Sequence, residues 1–397
     1  MSNNMNWRGR YREDEHQRLR VLFLLPRLHT NLTGLLNGLT AENIDVHVLV
    51  IGRGKSESWP KVNVELIKEG KLSRILTKIF KVRTEPSERS RYFIPQVTNY
   101  YKQLQAIKPH YVVARGLTAP YILLALLLLN RQVKLILYTQ GAKHKKRSLR
   151  EKCRNAILGQ VTQNRWMTPV NSLYNPNGVT GANEKAMTFV PFAISLQDKA
   201  TVASQSNDTL RIISVGKFEP RKNHKMLVEV LSEIAQDWQL TIVGEVSTRN
   251  HEKNYNELHD IVQKKKLTER VTLIANVEPE KVRSLLPKHH IFVLISEKEP
   301  ASISQLEAMA AGLGVIIGSD NGTATYVRHK ENGLILNAKH DEVKDALQFA
   351  LTNRQLVAKW SNNSKKLVEK YHSIEKVTSS FLAMLDKRKD VSKRKDS

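Results

Sequence analysis

The chain has 397 residues, 41% of them apolar, and a formal net charge of +25. That length and content give room for two domains with full cores and exclude a disordered or fibrous chain. A single cysteine, Cys153, excludes an internal disulfide framework and fits a reducing compartment.

Residues 1–20 are polar and charged, without the apolar segment of a secretory signal, so a cytoplasmic location is expected. The longest apolar run, 121–129, is far short of the ~20 residues that a spanning helix needs. Apolar stretches at 20–25, 46–51, 111–114 and 133–138 predict buried parallel strands. Helical patterns at 32–42, 96–107 and 120–129 lie between them. Positive charge then concentrates at Lys143, Lys145, Lys146, Arg147, Arg150, Lys152 and Arg154, opposed only by Glu151. Three readings of that stretch compete: an anionic membrane surface, nucleic acid, or a solvated charged face. No zinc-finger spacing or RNP-type aromatic motif accompanies the charge, which disfavours nucleic acid.

The polar residues 197–209 read as a linker closing a first domain at 1–196. A second domain, 210–372, repeats the plan, with strands at 210–215, 239–243, 271–274, 291–295 and 315–317. Helices near 222–234, 252–266, 279–286 and 303–311 alternate with them. The chain beyond 338 reads as helical to about 386, with 373–386 expected to pack back on the first domain. Residues 387–397 form a basic tail expected to be disordered. Repeated β-α-β units predict an α/β protein: two doubly wound, Rossmann-like domains facing a central cleft outside the carboxyl ends of both sheets.

Two motifs fall at such ends. In Ser214-Val-Gly-Lys-Phe-Glu-Pro-Arg-Lys222 a strand ends at Gly216, and Lys217 and Lys222 bracket the following turn. Two ammonium groups there suit a diphosphate, although either lysine is also explained as an ordinary surface residue of a basic protein. In Glu299-Pro-Ala-Ser-Ile-Ser-Gln-Leu-Glu307 two glutamates straddle a helix start. Backbone N–H groups at such a start favour an anion. Carboxylates repel phosphate but accept from hydroxyl groups on either side of it. A molecule with sugar hydroxyls flanking a phosphate is a nucleotide sugar. Taken singly, Glu299 is also a first-turn acid favoured by the helix dipole, Glu307 a helix-surface carboxylate and Ser302 an N-cap. Leu306, Met309 and Ala310 have the spacing of core residues.

From Arg211 to about Leu336 the sequence resembles the family 4 glycosyltransferases, retaining enzymes of the GT-B fold. The resemblance rests on Val215-Gly-Lys-Phe-(x)3-Lys222, Ile242-Val-Gly-Glu245, the Glu299-(x)7-Glu307 pair with Ala-Met-Ala-Ala-Gly, and Glu331-Asn-Gly-Leu-Ile335, in that order. It implies that Lys217 and Lys222 bind the donor diphosphate and act in catalysis. It implies that Glu299, also catalytic, meets the donor sugar and Glu307 the ribose hydroxyls. Gly216, Ala301, Ser302, Ile303 and Ser304 would lie against the phosphates. Position 217 is usually Arg in the family, and Pro300-Ala301 replaces a usual Phe-Gly. Arg27-Leu-His-Thr-Asn31 stands where two glycines often follow the first strand. Gln140 and Gly141 occupy the place where a His commonly faces the substrate.

The expected reaction transfers a sugar from a UDP- or GDP-linked donor to a glycan or lipid-linked acceptor, in cell-surface polysaccharide or glycolipid synthesis. Retention of configuration follows from the resemblance, with the departing phosphate accepting the acceptor's proton. No cofactor is expected, and no metal: the sequence has neither an Asp-X-Asp pair nor a His/Cys cluster of ligand spacing. The competing reading is a catalytically silent GT-B subunit that binds anions or partners.

Overall fold

The computed structural model describes residues 18–53, 62–82, 86–116, 118–140, 165–170, 173–175, 178–180, 187–196 and 209–386. The first domain runs β1 (Arg20–Leu25), α1 (Thr30–Ala41), β2 (Asp45–Val50), β3 (Asn63–Leu66), α2 (Lys71–Ile79), the single turn α3 (Pro86–Arg89), α4 (Val97–Ile107), β4 (Tyr111–Arg115), α5 (Pro120–Leu128) and β5 (Lys134–Tyr138). It continues through β6 (Trp166–Thr168), a hairpin of β7 (Leu173–Asn175) and β8 (Gly178–Thr180), and β9 (Met187–Phe189). The second domain runs β10 (Leu210–Val215), α6 (His224–Ser232), β11 (Trp238–Gly244), α7 (Arg249–Lys264), β12 (Val271–Ala275), α8 (Pro279–Leu285), β13 (Ile291–Leu294), α9 (Ile303–Ala310), β14 (Gly314–Gly318) and β15 (Gly333–Leu336). Three helices close the chain: α10 (His340–Thr352), α11 (Arg354–Tyr371) and α12 (Ile374–Asp386).

Each domain is built on a parallel sheet. The strand orders are β3-β2-β1-β4-β5-β6-β9 and β12-β11-β10-β13-β14-β15. Burial on both faces explains the continuous apolar runs. Val21, Phe23 and Leu25 of β1 enter one core with α1 and α12, while Leu22 and Leu24 enter another with α4 and α5. In β13, Ile291 and Val293 face one core of the second domain and Phe292 and Leu294 the other. In each sheet the order reverses beside the central strand, at β1/β4 and at β10/β13, which sets a ligand crevice at the carboxyl ends.

The structure adds elements that periodicity does not reveal. β3, β6 and β9 are three or four residues long, too short for a repeat of period two to register. The Gly333-Leu-Ile segment, read above only as part of a motif, is edge strand β15. The long helical stretch after 338 is three helices, broken at Asn353 and His372.

Where the chain returns to the first domain beside His372, residues of the two domains bond to each other. The Ile194 N–H donates to the His372 carbonyl at 2.9 Å, and the Tyr326 hydroxyl donates to the Pro169 carbonyl at 2.7 Å while accepting from the Phe192 N–H at 3.1 Å. After this crossing, α12 lies on α1 and sends Val377, Phe381, Met384 and Leu385 into the first domain's core. Phe381 is fully buried and stacks on Phe23, with ring centroids 6.4 Å apart. Phe381→Ala is therefore expected to cost the first domain about 3–5 kcal/mol. Urea unfolding should show that domain's transition moving and the second domain's remaining in place.

Candidate functional site

The carboxyl ends of β10 and β11, the segment directly after β12, Glu299 and the N-terminus of α9 surround a cavity of about 570 Å³. Gly216, Lys217, Lys222, Glu299, Ala301, Ser302, Ile303, Ser304 and Glu307, all singled out from sequence, line it. The first domain contributes Thr30 to its wall.

At its centre is an ion pair. Lys222 Nζ donates to Glu299 Oε2 at 2.5 Å, and Arg221 Nη1 donates to the same oxygen at 2.8 Å. Lys222 is 7% and Glu299 6% exposed. Lys222 ends the 3₁₀ turn Pro220–Lys222 that leaves β10, and its stem runs across Gly216. A Cβ on Gly216 would lie 3.1 Å from Lys222 Cε, so a side chain there would push the lysine off its path. Burial raises the cost of ionising Glu299, but Lys222 and Arg221 outweigh it and hold the carboxyl below its ordinary range. The chain of charges extends outward: Arg221 Nε donates to Glu219 at 2.7 Å, and His251 lies 3.4 Å from that carboxylate.

A buried polar network fixes the backbone that carries Glu299. The Glu299 N–H donates to the Asp320 carbonyl at 3.0 Å, and the Gly322 N–H to the Glu299 carbonyl at 2.9 Å. Position 322 has no room for a side chain, because a Cβ there would fall 2.0 Å from the Pro300 carbonyl oxygen. The Ser302 N–H donates to Thr323 Oγ1 at 3.1 Å, and Asn321 Nδ2 donates to Gln305 Oε1 at 2.9 Å. Ser302 is the N-cap of α9, its Oγ accepting from the Gln305 N–H at 3.3 Å. The N–H groups of Ile303 and Ser304 lie in the first turn, where a helix supplies no backbone acceptor. They give the cavity an anion-favouring floor beside Gly216, with Ser304 Oγ donating to the Val215 carbonyl at 3.2 Å.

Glu307 lies one turn further along α9, toward α8. Burial pushes its carboxyl up to about 7, against the pull of Arg283. Val246, Val277, Pro279 and Val282 complete the cavity, and Lys217 lies 3.7 Å from Glu245. Sequence reasoning missed Arg221 as a partner of Glu299, and it missed the Asn321–Thr323 support. Arg221 is one residue from a singled-out lysine, so its proximity was a usable signal. Asn321 and Thr323 carried none, since only the fold brings them to α9. Gln140 is placed elsewhere: it is buried at the end of β5, where its Nε2 donates to the Tyr138 hydroxyl, and it does not line the cavity. Gly141 and the basic stretch 143–154 lie outside the described residues.

Residues 197–367 match the family model described as Glycosyl transferases group 1. An uncharacterized glycosyltransferase of Bacillus subtilis, YqgM, is 23% identical over 223 residues, covering 55% of this chain and 60% of its own. The chain spans between 29% and 60% of the length of the curated relatives it matches. A glycosyltransferase structure from Rickettsia africae superposes with a TM-score of 0.70 at 14% identity, covering 93% of this chain and 98% of that one. The Anabaena protein HepE in complex with UDP and glucose gives 0.68 at 13%, covering 93% and 100%. Residues 197–367 are thus similar to the group 1 glycosyl transferases, and the whole chain has the two-domain GT-B fold.

Ionisation of Glu307 has a measurable consequence. Its folded value lies above that of the unfolded chain, so the folded state holds a proton that the unfolded state loses between about pH 4.5 and pH 7. Stability from this group is lost as pH rises through that window. Glu307→Gln should therefore melt at a higher temperature than the wild type at pH 8, with the difference closing below pH 4.5. Carbon-13 titration of the Glu307 carboxyl, centred near pH 7, would check the assignment directly.

Proposed function

We propose that the protein is a retaining glycosyltransferase that moves a sugar from a UDP- or GDP-linked donor to a glycan or lipid-linked acceptor. The observation that carries this reading is the Lys222–Glu299 pair set against the α9 N-terminus in one cavity. Donor binding would separate the pair's tasks. Lys222, with Lys217 and Arg221, turns to the diphosphate, while Glu299 accepts from hydroxyl groups of the transferred sugar. Glu307 accepts from the ribose hydroxyls, and the apolar wall of Val246, Val277, Pro279 and Val282 suits a planar base.

In the reaction the bond from the anomeric carbon to the β-phosphate oxygen breaks and the bond to the acceptor oxygen forms on the same face. The acceptor's proton passes to the leaving phosphate, so no protein base is required. Negative charge grows on the β-phosphate as the bond breaks. Lys217, Arg221, Lys222 and the α9 N–H groups are preorganised for that charge, the arrangement that usually contributes most to catalysis. These cations take the role that a metal would otherwise have, so the reading is of a metal-independent enzyme without a cofactor.

Calorimetric titration with UDP, GDP and ADP tests the donor site, and one of them is expected to bind; silence with all three contradicts the reading. Lys222→Ala and Glu299→Gln should each lower kcat/KM by about a hundredfold or more while circular dichroism stays unchanged. Wild-type turnover in either variant would remove that residue from the mechanism.

A peripheral position on an anionic membrane is the second part of the proposal. Among the described residues, no helix is long and apolar enough to cross a bilayer. The outer face of α2 does have an interfacial character. Leu72, Ile75, Ile79 and Phe80 are 53%, 53%, 65% and 56% exposed, and Lys71, Arg74, Lys78 and Lys81 flank them. Leu66, Val97 and Tyr101 are exposed as well, and Gln103 Nε2 donates to the Leu66 carbonyl at 3.3 Å. Apolar side chains rimmed by cations are the pattern of a helix lying in the headgroup layer, each basic residue adding ~1 kcal/mol on an anionic leaflet. Binding to phosphatidylglycerol vesicles is expected to weaken with salt and to fall about tenfold or more in Ile79→Asp. Equal binding to neutral vesicles, or no effect of the substitution, would count against this surface.

A further inference from the structure

The turn after β10 has two faces. Gly216, Lys217, Arg221 and Lys222 line the donor cavity, whereas Phe218, Glu219, Pro220 and Asn223 line a second cavity of about 330 Å³. The rest of its wall comes from α6 and α7, through Met226 and Glu229 on the one and Asn254 and Leu258 on the other. That volume suits a small molecule. Phe218, Met226 and Leu258 give the cavity an apolar side. A T-shaped contact with Tyr255, ring centroids 4.9 Å apart, fixes the Phe218 ring.

The lining is net negative, two carboxylates against one lysine, in a chain of net charge +25. Glu229 is half-buried and has no ionic partner among the described residues. Lys225 is already held by the Glu257 carboxylate on α7. His224 adds no charge, because burial first and then Lys222 push its imidazole down to about 3. It is 5% exposed and its Nε2 has no hydrogen-bond partner, so the wall also carries one unmet polar group. Asn254 Nδ2 donates to the Asn250 carbonyl at 2.7 Å, which leaves Oδ1 as an acceptor. Oxygen acceptors beside an apolar side fit an ammonium group on an apolar body. They fit a metal ion less well: among the described residues no three His, Cys, Asp or Glu side chains are grouped to hold one.

Glu219 connects this cavity to the other. Its Oε2 accepts from Arg221 Nε at 2.7 Å while Arg221 Nη1 donates to Glu299 at 2.8 Å, so one guanidinium is held between two carboxylates. We propose that the cavity between α6 and α7 binds a small organic ammonium ion, whose presence strengthens donor binding by releasing Arg221 from Glu219. The effect on the donor rests on the donor reading given above; the site itself does not. An ammonium seated against Glu229 and Glu219 competes with Arg221 for the Glu219 carboxylate. The released guanidinium turns to the incoming diphosphate, whose oxygens suit its fork. By linkage, amine and donor then strengthen each other by the same factor.

The test titrates the full chain with benzylamine, which is protonated at neutral pH, and with benzyl alcohol as its uncharged counterpart. Benzylamine is expected to bind about tenfold more tightly than the alcohol, and Glu229→Gln should remove most of that difference. Glu229 lies outside the donor cavity, so without amine the variant's affinity for UDP or GDP should stay within about twofold. With benzylamine saturating, the affinity for one of the two nucleotides should rise about threefold or more in the wild type and stay flat in Glu229→Gln. A third measurement needs no nucleotide: the nitrogen-15 Nε–H signal of Arg221, assigned by its disappearance in Arg221→Lys, should shift when the amine binds. Equal affinity for amine and alcohol, or amine binding untouched by Glu229→Gln, refutes the site. An unmoved Arg221 signal, or a nucleotide affinity that the amine leaves unchanged or lowers, refutes the coupling. If neither nucleotide binds while the amine still shifts Arg221 through Glu229, the donor reading fails and the site stands.

Discussion

The buried contact of Lys222 with Glu299 joins two loops 77 residues apart and sets the geometry of the site. Such a pair is a poor stabiliser, because removing both charges from water offsets most of their attraction. Replacing the two by apolar residues would give an equally stable domain. The pair makes sense as a site held ready: the buried Lys222, whose charge burial disfavours, and the half-buried Arg221 are held on one carboxylate until a ligand with its own anion and hydroxyl groups replaces the internal contact. The surrounding features follow from this constraint. Gly216 leaves a path for the lysine stem, Gly322 lets the Glu299 turn approach its neighbour, and Asn321, Thr323 and Gln305 satisfy the polar backbone around that turn.

The same economy explains the position of Glu307. A carboxyl pushed up to about 7 is available in either protonation state near neutral pH, and hydroxyl donors would draw it to the ionised form. Glu299, flanked by two cations, stays ionised over the whole neutral range. Two glutamates eight positions apart in sequence therefore differ in chemistry because one faces Lys222 and the other faces an apolar wall.

Much of this was legible in the sequence, and the limits were physical. Long apolar strands such as β1, β10 and β13 are read because both faces are buried, and α9 is read from its cap and its Leu306, Met309 and Ala310 spacing. The second domain's site residues converge because motif order reports the order of strand ends. Short strands β6 and β9, and the crossing of Ile194 with His372, depend on contacts between distant segments and leave no local pattern. The substitution of Arg27-Leu-His-Thr-Asn31 after β1 was visible as a departure. Gln140, expected to face substrate, bonds to the Tyr138 hydroxyl, a contact that the sequence alone does not reveal.

The second domain thus offers cations and carboxylates around one cavity, and the first contributes Thr30 to its wall. The claim that unites them is that the Lys222–Glu299 contact is a placeholder for the donor. A crystal structure of the chain with a bound nucleoside diphosphate measures this directly. The account predicts that Lys222 Nζ leaves the 2.5 Å contact and moves to a β-phosphate oxygen seated at the N–H groups of Ile303 and Ser304. A diphosphate bound elsewhere, with the Lys222–Glu299 pair intact, would contradict it.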